Sequence, residues 1–175
     1  MTLKDTISID IDLGTEPREA FLHFTREMTN WWPKDYSWSG ETLQEMTIAD
    51  QAGGFCTEIG PHGFRCDFGR VLEIDLPRHI VFTWQIGPNR EPVPDPSKAG
   101  EVDVTFSAIP GGTRVTLTHR GFSNHGASAE QYMEAMGSAQ GWPLILQHFA
   151  KSAPQRDKIS RQSDPSLCVS STKHL

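Results

Sequence analysis

A strict period-two alternation, returning between Glu41 and Arg120, constrains this chain more than any other feature. Glu101-Val102-Asp103-Val104-Thr105-Phe106 alternates polar and apolar residues, and Thr113-Arg114-Val115-Thr116-Leu117-Thr118-His119 does so again. Neighbouring side chains of a strand point to opposite faces, so each run describes a strand with one wet and one buried face. Pro110-Gly111-Gly112 between them has the turn chemistry of a hairpin. Further strands are expected over residues 42–49, 54–59, 65–74 and 79–86, the last rich in β-branched and aromatic residues. Residues 6–12 open the chain with the same alternation. Short strands separated by turns imply an antiparallel meander rather than parallel βαβ units.

Two stretches break this period. Gly14-Thr15 ends the first strand, and Thr15-Glu16-Pro17 reads as a helix start, with Thr15 as the cap and the proline in the first turn. Ala20, Phe21, Phe24 and Met28 then form one helical stripe that stops at Trp31-Trp32-Pro33. After Gly126, Ser128-Ala129-Glu130-Gln131 fits a capping box for a short helix ending near Gly137. A second helix is expected over 140–150, with Pro143 in its first turn and Trp142, Leu146 and Phe149 on one face. That face is the natural cover for the sheet, and a curved sheet on a single helix leaves a cavity between them. Residues 87–100 contain Pro88, Pro92, Pro94 and Pro96 and read as an extended loop, either a lid or decoration. Residues 1–151 form a single domain in this reading, and 152–175, polar and without period, a disordered tail.

Composition removes whole classes of function. The length of 175 residues suits one domain. With 16 basic against 22 acidic residues, the chain lacks the basic face that nucleic acid requires. No apolar run approaches the length of a membrane span, and the first residues lack the apolar core of a signal peptide. Three cysteines without Cys-x-x-Cys imply no disulfide framework; Cys56 and Cys66, on neighbouring strands that could bring them face to face, read as two buried thiols rather than a bond. A soluble, cytoplasmic protein is expected. No nucleotide, dinucleotide or hydrolase signature occurs, so no cofactor is assigned. His62 and Cys66 lack a second ligand pair, so no metal is assigned either.

The candidate site residues come from the inward faces. Of five tryptophans, Trp31 and Trp32 are adjacent and cannot point the same way, so one packs and the other borders the cavity mouth. Trp142 reads as core, and Trp84 as either core or pocket wall. His119 shares a face with Val115 and Leu117, so it is either a hydrogen-bonded core histidine or a polar handle able to move protons. Glu58, Arg65, Asp67 and Gln85 also lie on strands, with their facing open; a buried carboxylate or guanidinium among them would orient a ligand. The expected ligand pocket comprises Trp31, Trp32, Phe55, Phe68, Phe82, Trp84, Phe106, Leu117, His119, Leu146 and Phe149.

The run Gly69-Arg70-Val71-Leu72-Glu73-Ile74-Asp75-Leu76-Pro77-Arg78-His79-Ile80-Val81-Phe82-Thr83-Trp84 resembles the G-x-V-x-E-I-x-P-x-R-x-V-x-T-W stretch of the SRPBCC superfamily, the START or Bet v 1-like helix-grip proteins. It is closest to the AHSA1-like branch, similar to the C-terminal domain of the Hsp90 ATPase activator. Trp31-Trp32-Pro33, residues 113–122 with His119-Arg120-Gly121-Phe122, and Gly141-Trp142 agree, so the resemblance spans about residues 5–151. Pro143 departs from the long unbroken last helix of many relatives. The resemblance implies an α+β helix-grip fold, a seven-stranded antiparallel sheet curving round the last helix. This fold hosts carriers, cyclases, receptors and co-chaperones. The leading expectation is binding of a small hydrophobic or aromatic molecule without covalent chemistry. The alternatives are a cyclase or dehydratase using His119, with Asp67 or Arg65, as acid and base, and a chaperone contact implied by the resemblance. The sequence is compatible with a homodimer.

Overall fold

The computed structural model describes residues 5–154. Strand β1 (Thr6–Leu13) leads into helices α1 (Pro17–Arg26) and α2 (Met28–Trp31). Six strands follow: β2 (Glu45–Ile48), β3 (Phe55–Ile59), β4 (Arg65–Asp75), β5 (His79–Trp84), β6 (Gly100–Ile109) and β7 (Gly112–Arg120). Helices α3 (Ala129–Gly137) and α4 (Trp142–Ser152) end the fold. The seven strands form one antiparallel sheet in the order β1-β7-β6-β5-β4-β3-β2. This is the α+β helix-grip arrangement that the resemblance implies.

Register explains how the alternation becomes a core. His119 lies opposite Ile7 and Val102, and Phe82 opposite Val102 and Val71, so one inward row crosses five strands. Leu117, Ile9, Val104 and Ile80 form the next row. Helices α1 and α4 lay their apolar stripes on these rows. Phe24 of α1 sits within ring-contact distance of Trp31, Phe82, Phe106 and Phe149. Each such side chain, nearly fully buried, contributes about 1.5–3 kcal/mol through removal from water.

Several local expectations give way to tertiary bonds. Thr15 does not cap α1; Glu16 occupies that position, and the Thr15 hydroxyl donates to the Pro154 carbonyl. Ser128 makes no side-chain cap on α3, because a 3-10 segment with a left-handed Gly126 leads into the helix. Cys56 and Cys66 do not face each other: Cys56 lies opposite Gly69 and Cys66 opposite Glu58, and both are free thiols. The loop expected over 87–100 reaches β6 at Gly100 and is braced through Gly87 N–H to the Glu91 carbonyl at 2.7 Å and Val93 N–H to the Gln85 carbonyl at 2.9 Å. α4 extends to Ser152 and Ala153 is buried, so the tail expected over 152–175 does not begin at residue 152, and its remainder beyond residue 154 lies outside the described residues. Among the described residues, no helix is long and apolar enough to cross a membrane.

Gly100 marks a tight junction beside His119. It pairs with Trp84, and a Cβ there would lie 2.7 Å from the Arg120 carbonyl oxygen and 3.0 Å from His119 Nε2. Gly100→Ala should therefore lower stability by about 1–3 kcal/mol, from overpacking against backbone. Urea unfolding checks this, and an unchanged midpoint would show that the strands have room to part.

Candidate functional site

A cavity of about 270 Å³ opens where α3 and α4 leave the β2–β3 end of the sheet uncovered. Trp32, Met46, Trp84 and Ile145 form its apolar wall. Its rim comprises Tyr36 and Trp38, the turn at Ile86, Gly87, Pro88 and Arg90, and α3 with the bend at Ser138, Gln140 and Gly141. One acidic residue, Glu58, is in the lining.

The two adjacent tryptophans separate because of Pro33. The residue before a proline avoids helical geometry, and Trp32 is extended at φ −67°, ψ 130° just after α2 ends. Trp31 consequently turns inward against Phe24 and Phe149, its indole N–H donating to the His23 carbonyl at 3.0 Å. Trp32 turns the other way, against Trp84 and Trp142, and lines the cavity. Its indole N–H is buried and has no hydrogen-bond partner.

Trp84, at the end of β5, donates from its indole to the Tyr132 hydroxyl at 3.1 Å, and Tyr132 donates to the Ile86 carbonyl at 2.6 Å. This chain ties the sheet to α3 and to the rim turn. Burial raises the Tyr132 phenol above its ordinary range, which keeps it a donor. Further bonds join the rim segments. The Tyr36 hydroxyl donates to the Gln140 carbonyl at 2.8 Å, and the Trp38 indole to the Arg90 carbonyl at 2.7 Å. Arg90, held at φ 64°, donates to the Asp35 and Ser37 carbonyls.

Glu58 is 1% exposed and accepts three bonds. Trp38 N–H reaches one oxygen at 3.1 Å; Ser39 N–H and its hydroxyl reach the other at 2.8 and 2.7 Å. Those donors offset the desolvation of a buried carboxylate. The other polar candidates face elsewhere. Arg65 is exposed beside Asp67, which also accepts from Thr57, and the Gln85 amide donates to the Val93 and Pro94 carbonyls.

His119 is fully buried and does not border the cavity. Its Nδ1 accepts the Trp142 indole N–H at 2.9 Å, while Phe122 lies at 4.2 Å between ring centres. Its Nε2 has no partner. Burial, assisted by the neighbouring His125, pushes its pKa down to about 3, so the ring is neutral at ordinary pH. Phe68, Phe82, Phe106, Leu117, Leu146 and Phe149 are likewise buried in the core beside the cavity rather than in its lining. Phe55 is 41% exposed under the Arg70 guanidinium and lines a separate pocket of about 230 Å³ with Asp67, Arg70 and Gln85. From the expected set, Trp32 and Trp84 meet in the cavity wall.

His119 gives this core a pH dependence. The folded ring stays neutral down to about pH 3, whereas the unfolded chain takes up its proton near 6.5. Between those values the unfolded state holds more protons, so stability is lost as pH falls through that window, at up to about 1.4 kcal/mol per pH unit. His119→Asn, whose amide oxygen can accept the Trp142 N–H, should be less stable at pH 8 but have a shallower acid slope. Urea titrations from pH 8 to 4.5 check this, and identical slopes would contradict it.

Among solved structures, the anthrahydroquino-gamma-pyrone synthase Txn09, complexed with SUM, is 26% identical, with a TM-score of 0.61 over 85% of this chain and 96% of that one. The self-sacrificing resistance protein CalC from Micromonospora echinospora is 25% identical, with a TM-score of 0.61 over 84% and 92%. Protein MLL2253 from Mesorhizobium loti shares the fold at 18% identity, with a TM-score of 0.57 over 83% and 94%. No curated protein matches the sequence. Residues 15–153 match the family described as activator of Hsp90 ATPase homolog 1-like protein. With most of its described residues inside that match and a seven-stranded sheet gripping α4, the chain belongs to the activator of Hsp90 ATPase homolog 1-like family, of the SRPBCC helix-grip fold.

Proposed function

We propose that this protein binds a small, flat, largely apolar molecule in the cavity between the sheet and helices α3 and α4. The observation that carries this reading is the wall itself. Trp32, Tyr36, Trp38, Trp84 and Tyr132 surround a 270 Å³ space with few polar groups. An apolar cavity of roughly 150 Å³ holds benzene, so this one has room for two or three fused rings. Aromatic faces favour stacked or edge-on rings over aliphatic chains. A reducing, cytoplasmic setting belongs to the same reading, supported by the free thiols Cys56 and Cys66.

Turnover in the same cavity is the second reading, favoured by the similarity to a synthase and by Glu58 in the lining. His119 lies behind Trp84 and Trp142, outside the lining of that cavity, which favours Glu58 over it in this reading.

Ala135 lies on the rim in α3, where a larger side chain can enter the cavity without displacing core. Ala135→Trp should weaken binding of N-phenyl-1-naphthylamine by about tenfold or more, while stability changes by about 0.5 kcal/mol or less. Probe fluorescence and urea unfolding measure the two. Undiminished binding in the variant would place the ligand site elsewhere.

A further inference from the structure

Glu58 sets a chemical requirement that the aromatic wall alone does not. We infer that the molecule held in this cavity is a neutral hydroxylated aromatic, and that Glu58 is the residue selecting it by accepting its hydroxyl proton. The inference rests on the cavity being the ligand site.

An ionised carboxylate offers about four acceptor positions. Three are taken, all by the Trp38–Ser39 segment: one bond reaches Oε1 and two reach Oε2. The remaining position belongs to Oε1 of a residue that lines the cavity. No ion pair involves Glu58 among the described residues. The nearby cation, Arg90, spends its guanidinium on the Asp35 and Ser37 carbonyls. A hydrogen-bond donor on the ligand therefore completes the group.

Two observations favour a hydroxyl over an ammonium. Arg90 stands in the rim of the same cavity, so a cation would bind beside a positive charge. Trp32, also in the lining, carries a buried indole N–H without a partner, which calls for an acceptor. An ammonium ion has no lone pair to give, whereas a hydroxylated ring system offers both a proton and oxygen lone pairs. The aromatic body then packs on Trp84 while its polar edge lies toward Glu58.

The test uses the full chain and three naphthalene probes, titrated by quenching of tryptophan fluorescence: 2-naphthol, 2-methoxynaphthalene and 1-naphthylmethylammonium. The inference predicts that 2-naphthol binds about tenfold or more tightly than its methyl ether, which keeps the oxygen but loses the proton. In Glu58→Gln that advantage should shrink to about threefold or less. Equal binding of the two in the unaltered protein, or an advantage preserved in Glu58→Gln, overturns the assignment. Tighter binding of the ammonium probe also overturns it, because Glu58 would then be reading charge. Binding of none of the three removes the cavity as a ligand site and the inference with it. Should Glu58→Gln not fold, the order of the probes on the unaltered chain decides alone.

Discussion

The covering helix is shorter than the sheet it covers. α4 has 11 residues and is about 16 Å long, whereas β4, also of 11 residues, extends about 35 Å. A helix of that length buries the middle of the inward face and leaves its ends to other elements. At one end α1 and α2 supply Phe21, Phe24 and Trp31, and the core closes completely. At the other end α3 sits at an angle set by the bend at Ser138 to Gly141, and the apolar side chains do not meet. The cavity is what remains when that mismatch is filled from one side only.

What keeps the open end from collapsing is a set of directional bonds. Trp84 to Tyr132 to Ile86 holds α3 off the sheet, and Trp142 to His119 fixes where α4 begins. Tyr36, Trp38 and Arg90 link the rim segments across the mouth. These polar atoms lie among aromatic rings, where an unmade bond costs more than in water. Each bond therefore has one strongly preferred geometry. The same economy explains why the carboxyl group of Glu58 is tolerated: its donors come from backbone and serine of one short segment.

The strands, the hairpin at Pro110-Gly111-Gly112 and the interrupted C-terminal helices were legible because alternation, turn residues and helical spacing act within a few residues. The divergence of Trp31 and Trp32 was legible for the same reason, since Pro33 acts on its neighbour. Glu58 was not. β3 carries apolar residues on both faces: Phe55 and Ile59 on one, with Thr57, and Cys56 on the other, with Glu58, so alternation alone points Phe55 and Ile59 inward, whereas the pairing of Cys56 and Glu58 with Ile48 and Met46 puts Glu58 on the buried side. The cavity lining was equally hidden. Phe82, Phe106 and Leu117 share the inward face with Trp84, and only distance along the strand from α4 separates packed core from open wall. The rim residues Tyr36, Arg90 and Gln140 come from turns whose positions depend on one another.

The five indoles divide into those fixed by core bonds and those bordering the cavity, which makes their N–H protons direct reporters. We would record the indole N–H signals of the ¹⁵N-labelled protein during titration with 2-naphthol. The account predicts that the signals of Trp32, Trp38 and Trp84 shift. Those of Trp31, bonded to the His23 carbonyl, and Trp142, bonded to His119, should hold still. Shifts confined to Trp31 and Trp142, or no shift in Trp32 and Trp84 at saturation, would contradict it.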